Sequence, residues 1–271
     1  MTDPSPSQHQ TRSRRAMAVG LAIFATVTLA YGAGELSHLL SFSLSEAGAP
    51  DFFREPINLG LALLGFLIWQ GLSQTSKSPP LWGSPAMGLG WGWVVGCALP
   101  GFALLGLMLL QAGRFEARDF SVAALIIPVP FILIHALSEE VIIRGIAQRA
   151  GTAAFGPWLG IGGAALAFCV LQTLQGYQSM WHIANSALFG AALGFLALSR
   201  GGILAAVGGH AGWTWLETSW IGDAMTFQKD GSFLAGTGPD SYGSPVFTAV
   251  LLVILALMGV RWALQANKEK Q

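Results

Sequence analysis

Hydrophobic and polar positions alternate along this chain in long blocks rather than residue by residue. Eight apolar stretches lie at about 16–40, 57–73, 87–111, 121–145, 155–175, 182–199, 202–221 and 245–266, with short polar segments between them. Inside each block the apolar residues continue without the period-two alternation of a strand. Most blocks approach the roughly 20 residues that carry a helix across the hydrocarbon core of a bilayer. The pattern predicts an all-α, polytopic transmembrane helix bundle of about eight spans. The stretch 57–73 is short, and only a small break at Arg200 and Gly201 parts the sixth and seventh stretches, so counts of seven or nine stay open.

Composition agrees and narrows the class. Only 10% of the 271 residues are charged, 14 basic and 14 acidic, while 53% are hydrophobic. Soluble domains carry about 25% charged residues. Disorder is excluded, because it needs low hydrophobicity and high net charge. A net charge of +0 without a long basic run argues against a nucleic-acid partner. Cys97 and Cys169 sit in apolar runs, which leaves no disulfide framework. The implied partner of most of the surface is the lipid bilayer.

The blocks suggest a segmentation. Residues 1–15 read as a disordered cytoplasmic tail, 16–115 as the first transmembrane helices and 116–221 as a core region. Residues 222–244 read as an outer loop rich in Gly, Ser and Asp, and 245–271 as the last span with a basic tail. The first block is long and lacks a small-x-small cleavage site, so it reads as a retained span rather than a signal peptide. With the N-terminus inside, Arg12, Arg14, Arg15, Lys77, Arg144, Arg149, Arg200, Arg261, Lys268 and Lys270 fall on the inner side, and Arg54, Arg114, Arg118 and Lys229 on the outer. That bias follows the positive-inside rule. It implies a multi-pass protein of the cell (plasma) membrane with both termini cytoplasmic. The acids Glu46, Asp51, Glu55, Glu116, Asp119, Asp223, Asp230 and Asp240 then collect in outer loops.

Charges inside the blocks carry the candidate chemistry, since a charge at mid-membrane costs at least about 2.5–3.5 kcal/mol and normally faces the bundle interior with a partner. His135, Glu139, Glu140 and Arg144 all fall in the fourth block. Glu140 and Arg144 are spaced i, i+4 and can pair on one helix face. Glu139 points about 100° away from Glu140. The division that follows is a structural Glu140–Arg144 pair and a Glu139 that faces a cavity and acts on water as a general base. Phe168 and Gln172 are one turn apart in the fifth block, and His210 and Thr214 in the seventh, beside Gly208 and Gly209, which permit close helix approach. Pro128 and Pro130 precede the charged run and should kink that helix. Glu35, His38 and Glu217 read as interfacial or helix-bridging, and most Trp residues as an interfacial belt.

Glu139-Glu140-x-x-x-Arg144, followed by Phe168-x-x-x-Gln172 and His210-x-x-x-Thr214 on successive helices, resembles the motif series of the CPBP (CAAX protease and bacteriocin-processing, or Abi) intramembrane proteases, over roughly residues 120–220. The first motif matches in full, with Gly145 after it. Gln172 stands where that family has His, and Thr214 where it has Asn or Asp. The resemblance implies a hydrolase that cleaves a membrane-associated peptide or protein. Its catalytic positions here are Glu139, Glu140, Arg144, Gln172, His210 and Thr214, with Phe168 and Trp213 as substrate-binding residues. It also implies a metalloprotease-type site, with Glu139 and His210 as zinc ligands and His135 as a third candidate. Gln is a poor zinc ligand, because its amide oxygen is neutral and hard. A metal-free route is therefore open as well. In it Glu139 is the base, Gln172 orients the water, and His210 with Thr214 stabilises the oxyanion. The alternative is a catalytically impaired membrane binding, scaffold or immunity protein, as a subunit of a larger complex. Arg144, placed at the end of its block, puts the site near the inner membrane surface.

Overall fold

The computed structural model describes residues 6–46, 54–72, 84–176, 179–236 and 242–268. Among them the chain forms α1 (Pro6–Glu46), α2 (Arg54–Leu72), α3 (Pro85–Leu109), β1 (Gly113–Ala117), α4 (Val122–Ile126), α5 (Val129–Ile142), α6 (Arg149–Phe155), α7 (Pro157–Leu174), α8 (Met180–Ala197), α9 (Gly202–Trp215), β2 (Met225–Lys229) and α10 (Pro245–Lys268). A π-helical turn, Ile143–Gln148, joins α5 to α6, and a second, Leu216–Ala224, extends α9. Six helical runs among the described residues are long and apolar enough to cross a membrane: most of α1, α3, the α4–α6 run Val122–Phe155, α7, α8 and α10. The remaining two predicted stretches fall on α2 and on α9 with its extension. The protein is an all-α polytopic bundle.

Three features differ from the sequence reading. First, α1 starts at Pro6, so much of the segment read as a disordered tail is helical. Pro is favoured at the first helical turn, and no breaker follows it. Second, the fourth span does not end at Gly145. The π-helical turn absorbs the Arg144–Gly145 region, and the helix continues to Phe155. Third, the 222–244 loop holds β2, which pairs antiparallel with β1, Phe115 opposite Phe227. The break expected from the prolines is present, because Ile127 and Pro128 separate α4 from α5.

Glycine positions set the tightest packing. Gly88, Gly92 and Gly96 recur every four residues on α3. A Cβ on Gly92 would run into the Ala205 carbonyl, and one on Gly96 into the Gly209 carbonyl. Gly208 and Gly212 of α9 meet the Leu89 and Trp93 carbonyls in the same way. Backbone touches backbone along this seam, which is how membrane helices gain contact without a hydrophobic driving force. The seam fixes α9, and with it His210. Phe168, Phe189, Leu193, Ile142, Ile143 and Leu171 form the buried centre between α5, α7 and α8. Asn185 of α8, fully buried, donates to the Tyr242 and Ser244 carbonyls and accepts from Thr248 Oγ1, which ties the start of α10 to the bundle.

Candidate functional site

Adjacent Glu139 and Glu140 on α5 face different surroundings, as the 100° step between neighbours requires. Glu140 is fully buried. Its Oε2 accepts from Arg144 Nε at 2.6 Å, across one turn. Its Oε1 lies 3.1 Å from His210 Nδ1. A carboxylate paired with Arg only accepts, so Nδ1 is the donor here. Arg144, also fully buried, donates from Nη1 to the Gly190 carbonyl at 3.1 Å and so bridges to α8. The π-helical turn carries the chain on past Arg144, which therefore lies within a continuous helical run.

His210 belongs to this buried cluster rather than to Glu139. Its ring sits 5.5 Å from Phe168, 6.1 Å from Trp213 and 6.3 Å from Phe189, centre to centre. Trp213 also packs on Tyr242 at 4.8 Å, and its indole nitrogen is buried without a hydrogen bond among the described residues. Phe168 and Trp213 thus form aromatic walls around the histidine. Thr214 is half-buried one turn beyond His210, and its carbonyl accepts from Thr218.

Glu139 faces the other way. It helps line a cavity of about 50 Å³ together with Arg54, Glu55, Asn58, His135, Ser138 and Gln175. A water needs roughly 10–15 Å³ of such space and a few polar partners. Glu139 Oε1 accepts from Gln175 Nε2 at 3.1 Å and lies 3.5 Å from His135 Nε2. Its Oε2 is buried and has no hydrogen-bond partner among the described residues. His135 Nδ1 is 3.1 Å from Glu55 Oε2, and Asn58 Nδ2 donates to Ser138 Oγ at 3.1 Å. His135 and His210 lie 6.2 Å apart, centre to centre, which makes the two carboxylate environments neighbours.

Three site residues escaped the sequence reading. Glu55 and Asn58 come from α2, in the first third of the chain, where Glu55 resembled one more loop acid. Gln175 follows Gln172 by three residues, and the amide that reaches Glu139 is Gln175's. Gln172 is itself buried on α7, but its side chain makes no hydrogen bond among the described residues. An i, i+3 check on α7 would have raised Gln175 as a candidate; nothing in the sequence couples α2 to α5. Ala30 and Gly34 late in α1, Arg54 and Glu55 at the start of α2, and Gln175 at the end of α7 all border the cavity. It therefore lies toward the end of the bundle opposite Pro6.

A catalytic zinc asks for about three protein ligands and an open position. Among the described residues, no three His, Cys, Asp or Glu side chains gather as a metal-binding group. Glu139 Oε1 is already engaged, and the second-motif position offers only the neutral Gln172 amide. The donors as arranged do not fit zinc.

No curated protein matches the chain. Residues 119–216 match the sequence profile of the family described as type II CAAX prenyl endopeptidase Rce1-like. That segment is a little over a third of the chain and holds Glu139, Glu140, Arg144, Phe168, Gln172, Gln175 and His210. The match over 119–216 supports assigning this chain to the CPBP/CAAX protease family.

Proposed function

We propose that this protein is an intramembrane endopeptidase in which Glu139 activates water. The observation that carries the reading is the buried, unpartnered Glu139 Oε2 beside a small polar cavity. A buried polar atom without a partner is rare and calls for an explanation, and a reactant water supplies one. In this reading the water oxygen attacks the scissile carbonyl carbon while its proton passes to Glu139 Oε2. The same proton then goes to the amide nitrogen as the C–N bond breaks. His210 and Thr214, the oxyanion candidates read from the sequence, do not line this cavity, and His210 Nδ1 is held by Glu140, so no oxyanion donor is assigned. The Glu140–Arg144 pair holds α5, α8 and α9 in register. No zinc is invoked, because the donor set does not fit one.

A second reading, a membrane-bound binding or scaffold protein without peptidase activity, draws on two observations. Gln172 replaces the motif histidine, and a cavity of about 50 Å³ admits water but not a peptide. Purified protein in detergent, offered a panel of fluorogenic membrane peptides that includes one with a prenylated C-terminus, separates the two. Glu139→Gln should reduce cleavage by roughly 10²–10⁴-fold, the usual contribution of a general base. Unchanged cleavage in Glu139→Gln would reject the first reading. A wild-type protein that is silent while Gln172→His cleaves would establish the second.

A further inference from the structure

A general base must hold its carboxylate within about 0.5 Å of the productive geometry, and a glutamate on three rotatable bonds needs anchors to do so. The anchors of Glu139 are visible, and one begins outside the segment that matches the family profile. Gln175 Nε2 donates to Glu139 Oε1 at 3.1 Å from the end of α7. His135, one turn earlier on α5, presents Nε2 to the same oxygen at 3.5 Å. The opposite nitrogen of that ring, Nδ1, is held at 3.1 Å by Glu55 Oε2 on α2. The Asn58–Ser138 hydrogen bond fastens α2 to α5 one turn further along. Both contacts reach Oε1 and neither reaches Oε2.

We propose that Glu55 is a positioning residue for Glu139, acting through the His135 ring, and that Gln175 is its counterpart on α7. Together they hold Oε1 and leave Oε2 without a partner among the described residues. The inference rests on the reading of Glu139 as the water-activating group. It makes α2, which lies before residues 119–216, a part of the working site. The role that the second-motif position leaves unfilled at Gln172 is taken over by a histidine on α5 and an amide one turn further along α7. The charged and titratable groups around His135 are Arg54 and Glu55 from α2, Glu139 from its own helix and His210 from α9.

Turnover and spectroscopy test this separately. Glu55→Ala and His135→Ala should each lower kcat by roughly 10²-fold, the scale of a misplaced catalytic group, with KM unchanged. Because Glu55 acts only through His135, the double variant should be no slower than His135→Ala alone. Losses that multiply in the double variant, or an unchanged kcat in Glu55→Ala, overturn the proposal. If Glu139→Gln cleaves like the wild type, it is the peptidase reading that falls. The second measurement needs no turnover. In ¹⁵N-histidine-labelled protein in micelles, with His135 assigned by its loss in His135→Ala, the wild type should show both Nδ1 and Nε2 protonated, because both face carboxylate oxygens. The shape-preserving Glu55→Gln and Glu139→Gln should each move the His135 ring resonances. A His135 spectrum indifferent to Glu55→Gln overturns the proposal whatever the protein cleaves.

Discussion

Arg144→Met should be among the most damaging single changes in the protein. Both members of the Arg144–Glu140 pair have no exposed side-chain surface, and Nε lies 2.6 Å from Oε2. Removing one partner of such a pair leaves a buried charge uncompensated, at a cost of about 3–5 kcal/mol. The Gly190 carbonyl also loses its donor, which adds about 1 kcal/mol. His210 stays on Oε1 and keeps part of the compensation, so the net loss should remain near 3–5 kcal/mol. Removing both charges is different. In Glu140→Gln/Arg144→Met the amide still accepts from His210 and no ion remains, so the double variant should recover most of that loss. Equilibrium unfolding in mixed dodecylmaltoside and SDS micelles, followed by the fluorescence of the ten tryptophans, measures both. A single variant that loses less than about 1 kcal/mol, or a double variant no more stable than the single, would refute the reasoning that the pair is a desolvated, mutually dependent unit.

Two further predictions concern packing. Gly92→Leu should drive α3 from α9, because even a Cβ there meets the Ala205 and Gly209 backbone; the expected cost is at least the about 1–3 kcal/mol of core overpacking. The control Gly162→Ala, with nothing within 4 Å of the added carbon, should stay within about 0.5 kcal/mol of wild type. Thermal unfolding in detergent compares them, and equal midpoints would reject the α3–α9 seam. Asn185→Ala removes the donor to two carbonyls and the acceptor of Thr248, a loss of about 1–3 kcal/mol. It should speed limited proteolysis between Lys229 and Pro245, and an unaltered cleavage pattern would argue against Asn185 as the clasp of that segment.

Local physics made part of the site legible in advance. The i, i+4 spacing of Glu140 and Arg144 and the angular step to Glu139 follow from helix geometry alone, so the separate surroundings of the two glutamates were readable as soon as the segment was known to be helical. The glycines at 208 and 209 signalled a close helix approach but not its partner, because three residues on α3, at the other end of a sequence gap of more than a hundred, had to be paired with them. Glu55, Asn58 and Gln175 were not legible as site residues. Each is an ordinary polar residue near a helix end, and its significance arises only when α2 and α7 pack against α5.

By itself the sequence determined the solvent, the helical class and the carboxylate pair, because hydrophobic block length and 3.6-residue periodicity are properties of short stretches of chain. It also determined that the second-motif position lacks a histidine. Only the tertiary structure decided that His210 serves Glu140, that Glu139 is anchored by Gln175 and His135, that α2 stands behind His135, and that the cavity lies at the end of the bundle opposite Pro6. Those relations depend on which helices touch and at what rotation. Burial in an apolar bundle then makes each polar group take whichever partner comes within reach, since an unsatisfied one is costly.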